Sequence, residues 1–194
     1  MLKWHFKRDN AALLVIDMQN DFVLAGAIME VPQAKQQVPK IAQLIETCRK
    51  LSVPVIYTVH ETHPERCKLE IAAFPHLKDA GMRRGTPGIE VVKELAPLPN
   101  ETTICKHRFS AFYQTELELI LRGMGVDTLI ICGTVTNICC ESTARDAFYR
   151  DFKVLFGSDI CSALTPEIHN ATLANMQIFG EVMDSASLHT ILTA

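Results

Sequence analysis

The feature that most constrains this chain is an alternation. Short runs of apolar, often β-branched residues are each followed by a segment whose apolar residues recur every three or four positions. The first run, residues 11–18 (AALLVIDM), is almost continuously apolar, as a strand covered on both faces requires. Val38, Ile41, Leu44, Ile45, Cys48 and Leu51 then form the stripe of an amphipathic helix. Further strands are expected at 53–59, 102–105, 129–132 and 154–157, with a sixth near 181–185. Helical patterns fill 89–95, 115–124, 139–149 and 166–179. Such βαβ alternation implies a mostly parallel sheet with helices on both faces, so the expected fold class is α/β.

Composition narrows the reading. A chain of 194 residues with 48% hydrophobic residues suits one globular domain spanning 1–194. A formal net charge of −3 offers no electrostatic case for nucleic acid or an anionic membrane, and no apolar run reaches a bilayer's span. The first ten residues, MLKWHFKRDN, lack the apolar centre of a signal peptide. Seven cysteines without CxxC pairing do not read as a disulfide framework, and a reducing cytoplasm is the expected location. The exception to short connections is the stretch 60–88, a length that suggests a lid or specificity loop.

In a doubly wound sheet the chemistry lies beyond the carboxyl ends of the strands. Asp17 ends the first strand, Lys106 follows the third, and Cys139 stands just past the fourth, where a helix begins. Taken singly, each has an ordinary explanation: a turn aspartate, a solvated lysine, a buried thiol acting as a small hydrophobe. Brought to one crevice, they have complementary roles. Asp17 could accept the thiol proton, Lys106 could hold the carboxylate and favour thiolate, and Cys139 could attack a carbonyl. A helix N-terminus and a nearby lysine would lower the thiol pKa by roughly a unit or more.

Cys139 and Cys140 are adjacent, and helical spacing separates them. Cys140 leads to Ala144, Ala147 and Phe148, an apolar stripe expected to pack on the sheet. Cys139 leads to Thr143, Asp146 and Arg150, the polar side. Cys139 is therefore expected to attack and Cys140 to pack.

Three blocks, LLVIDMQNDF, KHRFSAF and GTVTNICCESTARDAF, resemble in order and spacing the signature blocks of the isochorismatase-like cysteine hydrolases. The resemblance spans about residues 11–184. It implies a three-layer α/β/α sandwich, Rossmann-like, with about six mostly parallel strands, usually in a homo-oligomer (a dimer or tetramer). It also implies an Asp–Lys–Cys triad matching Asp17, Lys106 and Cys139, and thiolate attack on an amide, ureido or carbamoyl carbon. GTVTN resembles the family's cis-peptide turn, with the cis bond between Thr134 and Val135, and the N–H groups of Val135 and Cys139 would form the oxyanion hole.

The blocks resemble the ureidoacrylate and N-carbamoylsarcosine amidohydrolase branches more than the nicotinamidases, which implies a small-molecule substrate and no metal. Alternatives are a nicotinamidase-like metal-assisted deamidase, a vinyl-ether hydrolase of the isochorismatase type, and a non-catalytic small-ligand-binding member. For a metal, zinc or iron, the candidate ligands are Glu61, His63 and His76, with His60 expected to point elsewhere. Phe22, Phe109 and Phe112 are the candidate substrate-binding aromatics. Arg83 and Arg84 read as a solvated pair that could instead neutralise a substrate carboxylate.

Overall fold

The computed structural model describes residues 2–194. Its strands are β1 (Ala11–Ile16), β2 (Val55–His60), β3 (Thr102–Lys106), β4 (Thr128–Thr134), β5 (Lys153–Ser162) and β6 (Glu181–Met183). They form one sheet in the order β3-β2-β1-β4-β5-β6, and every neighbouring pair is parallel. The helices are α1 (Asn20–Val23), α2 (Ala34–Lys50), α3 (Lys68–Ala73), α4 (Leu117–Gly123), α5 (Glu141–Phe148), α6 (Pro166–Phe179) and α7 (Ser185–Thr193).

The two-residue period of a strand sorts the core into two layers. On β1, Ala11, Leu13 and Val15 join a cluster with α2 and α7, whereas Ala12, Leu14 and Ile16 join one with α4, α5 and α6. All six are buried, which is why β1 reads as an unbroken apolar run. Among the described residues no helix is long and apolar enough to cross a membrane.

The winding reverses between β1 and β4, because β2 and β3 lie on one side of β1 and β5 and β6 on the other. A crevice opens at the carboxyl ends on either side of such a switch point. Gly133 lets β4 approach there. Its φ is +122°, and a Cβ at that position would lie 2.0 Å from the carbonyl oxygen of Ile16. The next peptide bond but one, Thr134–Val135, is cis.

Several boundaries differ from the expected ones. β5 runs on through Gly157, Ser158 and Asp159 to Ser162, past a register irregularity against β4. The expected helix at 139–149 starts earlier as a π-helical turn (Thr136–Cys140) that leads into α5. The expected helix at 89–95 is two short 3-10 turns, Pro87–Ile89 and Lys93–Leu95.

Residues 60–88 form a folded cap rather than a bare loop. α3 and a 3-10 turn (Pro75–Lys78) sit within it, and Leu77 and Met82 are buried. Asp21 accepts from the N–H of Met82 (2.6 Å), and the N–H of Thr62 donates to the Met82 carbonyl (3.0 Å). Arg83 laces the cap by donating to the carbonyls of Thr62, Leu77 and Lys78.

Candidate active site

Asp17 leaves β1 in the left-handed region, with φ +49°, a conformation aspartate tolerates better than most residues. Three contacts fix it. Its N–H donates to the Thr58 carbonyl (3.2 Å), Thr58 Oγ1 donates to its Oδ1 (2.6 Å), and Thr134 Oγ1 donates to its carbonyl (2.8 Å). Lys106 reaches across the end of β2, and its Nζ lies 2.7 Å from Asp17 Oδ2. Both side chains are fully buried. That contact lacks hydrogen-bond alignment, so Oδ2 is charge-paired while keeping a lone-pair direction free.

The same ammonium lies 3.3 Å from Cys139 Sγ and donates to the Arg108 carbonyl (3.1 Å). Asp17, Lys106 and Cys139 thus converge. Cys140 is fully buried with Ala144 and Ala147, as the helical stripe requires.

Two details of that helix depart from the expected faces. Thr143, placed on the polar side, is buried and accepts a hydrogen bond from the N–H of Ala111 (3.0 Å). Phe148, placed on the sheet face, is 41% exposed and meets Phe179 edge-on.

His60 requires the main correction. It was expected to point away, yet it is buried at the carboxyl end of β2 with its ring in the site. Lys106 Nζ lies 3.1 Å from His60 Nδ1, and His60 Nε2 lies 2.5 Å from Glu70 Oε1 on α3. The buried Gln19 clamps the His60 backbone, accepting from its N–H (2.7 Å) and donating to its carbonyl (3.1 Å). The strand-end rule that singles out Asp17 and Lys106 applies equally to His60. Glu70 left no signal in the sequence, because it lies ten residues beyond its strand-end partner in a segment of weak periodicity.

A narrow pocket opens beside Cys139. Phe22 and Phe109 line it along with Val135, Ile138, His60 and Glu70. Phe112 does not. Its ring lies 5.7 Å from that of Phe152, under the Arg150 guanidinium, in the core cluster that α4 and α5 build against the sheet. Neither Arg83 nor Arg84 borders the pocket, since Arg83 is occupied by carbonyls and Arg84 pairs with Glu61 (3.0 Å).

The expected metal ligands do not assemble. Glu61 faces Arg84 and Cys105, His76 turns to Met29, and His63 packs near His107. Among the described residues, Asp17, His60 and Cys139 do bring three potential ligand atoms within 4.8 Å of one another. The Lys106 ammonium contacts all three of these residues, so the donors already converge on a cation. A second group, Glu61, Cys105 and His107, has its carboxylate held by Arg84.

Electrostatics correct another expectation. Burial pushes the Cys139 thiol up; Lys106 pulls it back down, and the Asp17 charge adds to the rise. Burial works against the charge on Lys106, but Asp17 and Cys139 outweigh it and its pKa rises. Burial thus favours the protonated thiol beside the Asp17–Lys106 pair, against the lowered pKa expected from the helix terminus. The helix-terminus argument underestimated how completely the site is closed off from water.

Residues 11–187 match the family model of the isochorismatase domain. The chain is 37% identical over 178 residues to a probable inactive nicotinamidase from Arabidopsis thaliana, covering 88% of this chain and 90% of that protein. A crystal structure of a cysteine hydrolase from Pseudomonas syringae pv. phaseolicola superposes with a TM-score of 0.91 at 29% identity, covering 99% of this chain and 96% of that one. An N-carbamoylsarcosine amidase from Thermoplasma acidophilum superposes with a TM-score of 0.79 at 30% identity, covering 91% and 96%.

Proposed function

The chain belongs to the isochorismatase family of hydrolases, and from that premise we propose that it cleaves a C–N bond of a small amide, ureido or carbamoyl compound through a thioester on Cys139. The observation that carries this reading is the buried Lys106 ammonium, 2.7 Å from Asp17 and 3.3 Å from Cys139 Sγ.

A thiol beside an ion pair defines the order of events. As the substrate carbonyl enters, Cys139 Sγ attacks its carbon and the thiol proton passes to Asp17. Lys106 stabilises the sulfur as it gains charge. The N–H groups of Val135 and Cys139, both bordering the pocket, receive the oxyanion; each such donor is worth about 3–4 kcal/mol. The tetrahedral adduct collapses, the C–N bond breaks, and the nitrogen leaves as ammonia or an amine carrying the proton from Asp17. Water, deprotonated by Asp17, then attacks the thioester. The acid departs and Cys139 recovers its thiol.

No step requires a metal, and the cationic place between Asp17, His60 and Cys139 is served by Lys106. The expectation of a homo-oligomer is supported by an exposed apolar patch where Phe148, Tyr149 and Phe179 meet edge to edge beside the exposed Ile178.

The test is ammonia release across ureido acids, carbamoyl amino acids, nicotinamide and simple amides. Turnover of one class by the wild type, with none by Cys139→Ala of intact fold, is the expected result. Turnover that survives Cys139→Ala would refute the thioester route.

A further inference from the structure

We propose that Glu70 selects the substrate of this pocket: its free carboxylate oxygen accepts a hydrogen bond from an N–H of a neutral amide or ureide and turns away carboxylate-bearing analogues. The assignment rests on the hydrolase reading above and adds to it the substrate class.

The proton positions around His60 follow from its partners. A lysine ammonium can only donate, so Lys106 makes His60 Nδ1 the acceptor. The ring proton therefore sits on Nε2 and is donated to Glu70 Oε1. One carboxylate oxygen of Glu70 is thereby held by His60, whose other ring nitrogen accepts from the lysine that holds Asp17 and Cys139. The other, Oε2, is buried and has no hydrogen-bond partner. A buried acceptor left unpaired is costly, whereas one paired with a ligand donor is not. Glu70 borders the pocket that Cys139 borders, and Oε2 is its one carboxylate oxygen without a partner.

Charge points the same way. Lys106 pairs with Asp17, which leaves Glu70, held on one side by His60, as the other carboxyl group of the chamber. Apart from His60, Glu70 and Cys139, the wall is apolar, with Phe22, Met29, Phe74 and Phe109 among its members. Arg66, Lys68 and Arg108 border a separate surface hollow that shares only Glu70 and Phe109 with the pocket. A substrate carboxylate would meet an apolar wall and a second carboxyl group, with no cation in the lining to receive it. A neutral ureide or diamide would place one carbonyl at Cys139 and offer a spare N–H to Oε2. Since Glu70 sits on α3 of the cap, this contact also couples the cap to the occupied site.

A matched pair separates the possibilities: ureidoacetamide and ureidoacetate, which differ in charge at one end. Their binding is measured by calorimetry on Cys139→Ser protein, and their turnover on wild type. Ureidoacetamide should bind about 10- to 100-fold more tightly, the range of a hydrogen bond to a charged group. Glu70→Gln should shrink that preference to within about threefold, because it replaces the charge while keeping the shape. Equal or tighter binding of ureidoacetate overturns the proposal, and this comparison needs no substitution in α3. A Glu70→Gln variant that weakens both compounds alike also overturns it, since that is what a purely structural role predicts. Tight, Glu70-dependent binding of ureidoacetamide without ammonia release would uphold the assignment while counting against the hydrolase reading.

Discussion

Removing the ammonium from the site is the most revealing single perturbation. Lys106→Met keeps the length of the side chain and deletes its charge. Nζ lies 2.7 Å from Asp17 Oδ2, with neither side chain exposed. At an effective dielectric of roughly 20, two unit charges at that separation attract by about 6 kcal/mol. Relaxation and water entry reduce what an experiment sees, and breaking one side of a buried pair typically costs about 3–5 kcal/mol. Lys106→Met should therefore lose about that much stability in urea unfolding, and turnover should fall by about 100-fold or more. Asp17→Asn should lose a similar amount. The double variant should lose less than the sum, with a coupling of about 2–3 kcal/mol. Additive losses, with a coupling below about 0.5 kcal/mol, would refute the buried ion pair and the resting state built on it.

Other consequences follow from the same geometry. Burial raises the Cys48 thiol to about 12 from the ordinary 9.0. A folded state that holds its proton more tightly is favoured below pH 9 and loses that advantage as pH rises above it. The urea midpoint should accordingly drop between pH 9 and 11, and Cys48→Val should flatten the slope by up to about 1.4 kcal/mol per pH unit; an unchanged slope contradicts this. Gly133→Ala would place a Cβ against the Ile16 carbonyl at φ +122° and should cost at least about 3 kcal/mol or prevent folding, read from the urea midpoint. In the resting protein at pH 7, iodoacetamide should modify Cys139 no faster than the buried Cys48, because burial works against its thiolate and it is only 3% exposed. Rapid, selective labelling of Cys139 would restore the free-thiolate picture.

Much of this was legible in the residues. The alternation of apolar runs located all six strands, because β1 and β4 are buried on both faces and their sequences record it. Asp17, Lys106 and Cys139 stood out because polar or reactive side chains at strand ends in a parallel sheet have one place to go. β5 was read short because Gly157, Ser158 and Asp159 look like a turn, and only pairing with β4 shows that the strand continues past them. His60 obeyed the strand-end rule but was set aside on its assumed direction. Glu70 and the folded cap depend on contacts between segments with no shared periodicity, and Phe112 depends on which face of the sheet the chain crosses after Lys106. For Cys139, the sequence shows the helix and the lysine but not the depth of burial, which works against the thiolate.

The central claim is a covalent thioester on one of two adjacent thiols. Acid quenching of the enzyme during turnover of its best substrate, followed by peptide mass spectrometry, measures it directly. An added acyl mass on Cys139, absent from Cys139→Ala and still formed by an active Cys140→Ala, is the predicted result. The acyl mass on Cys140, or full turnover with no acyl-enzyme and no loss in Cys139→Ala, would contradict the account.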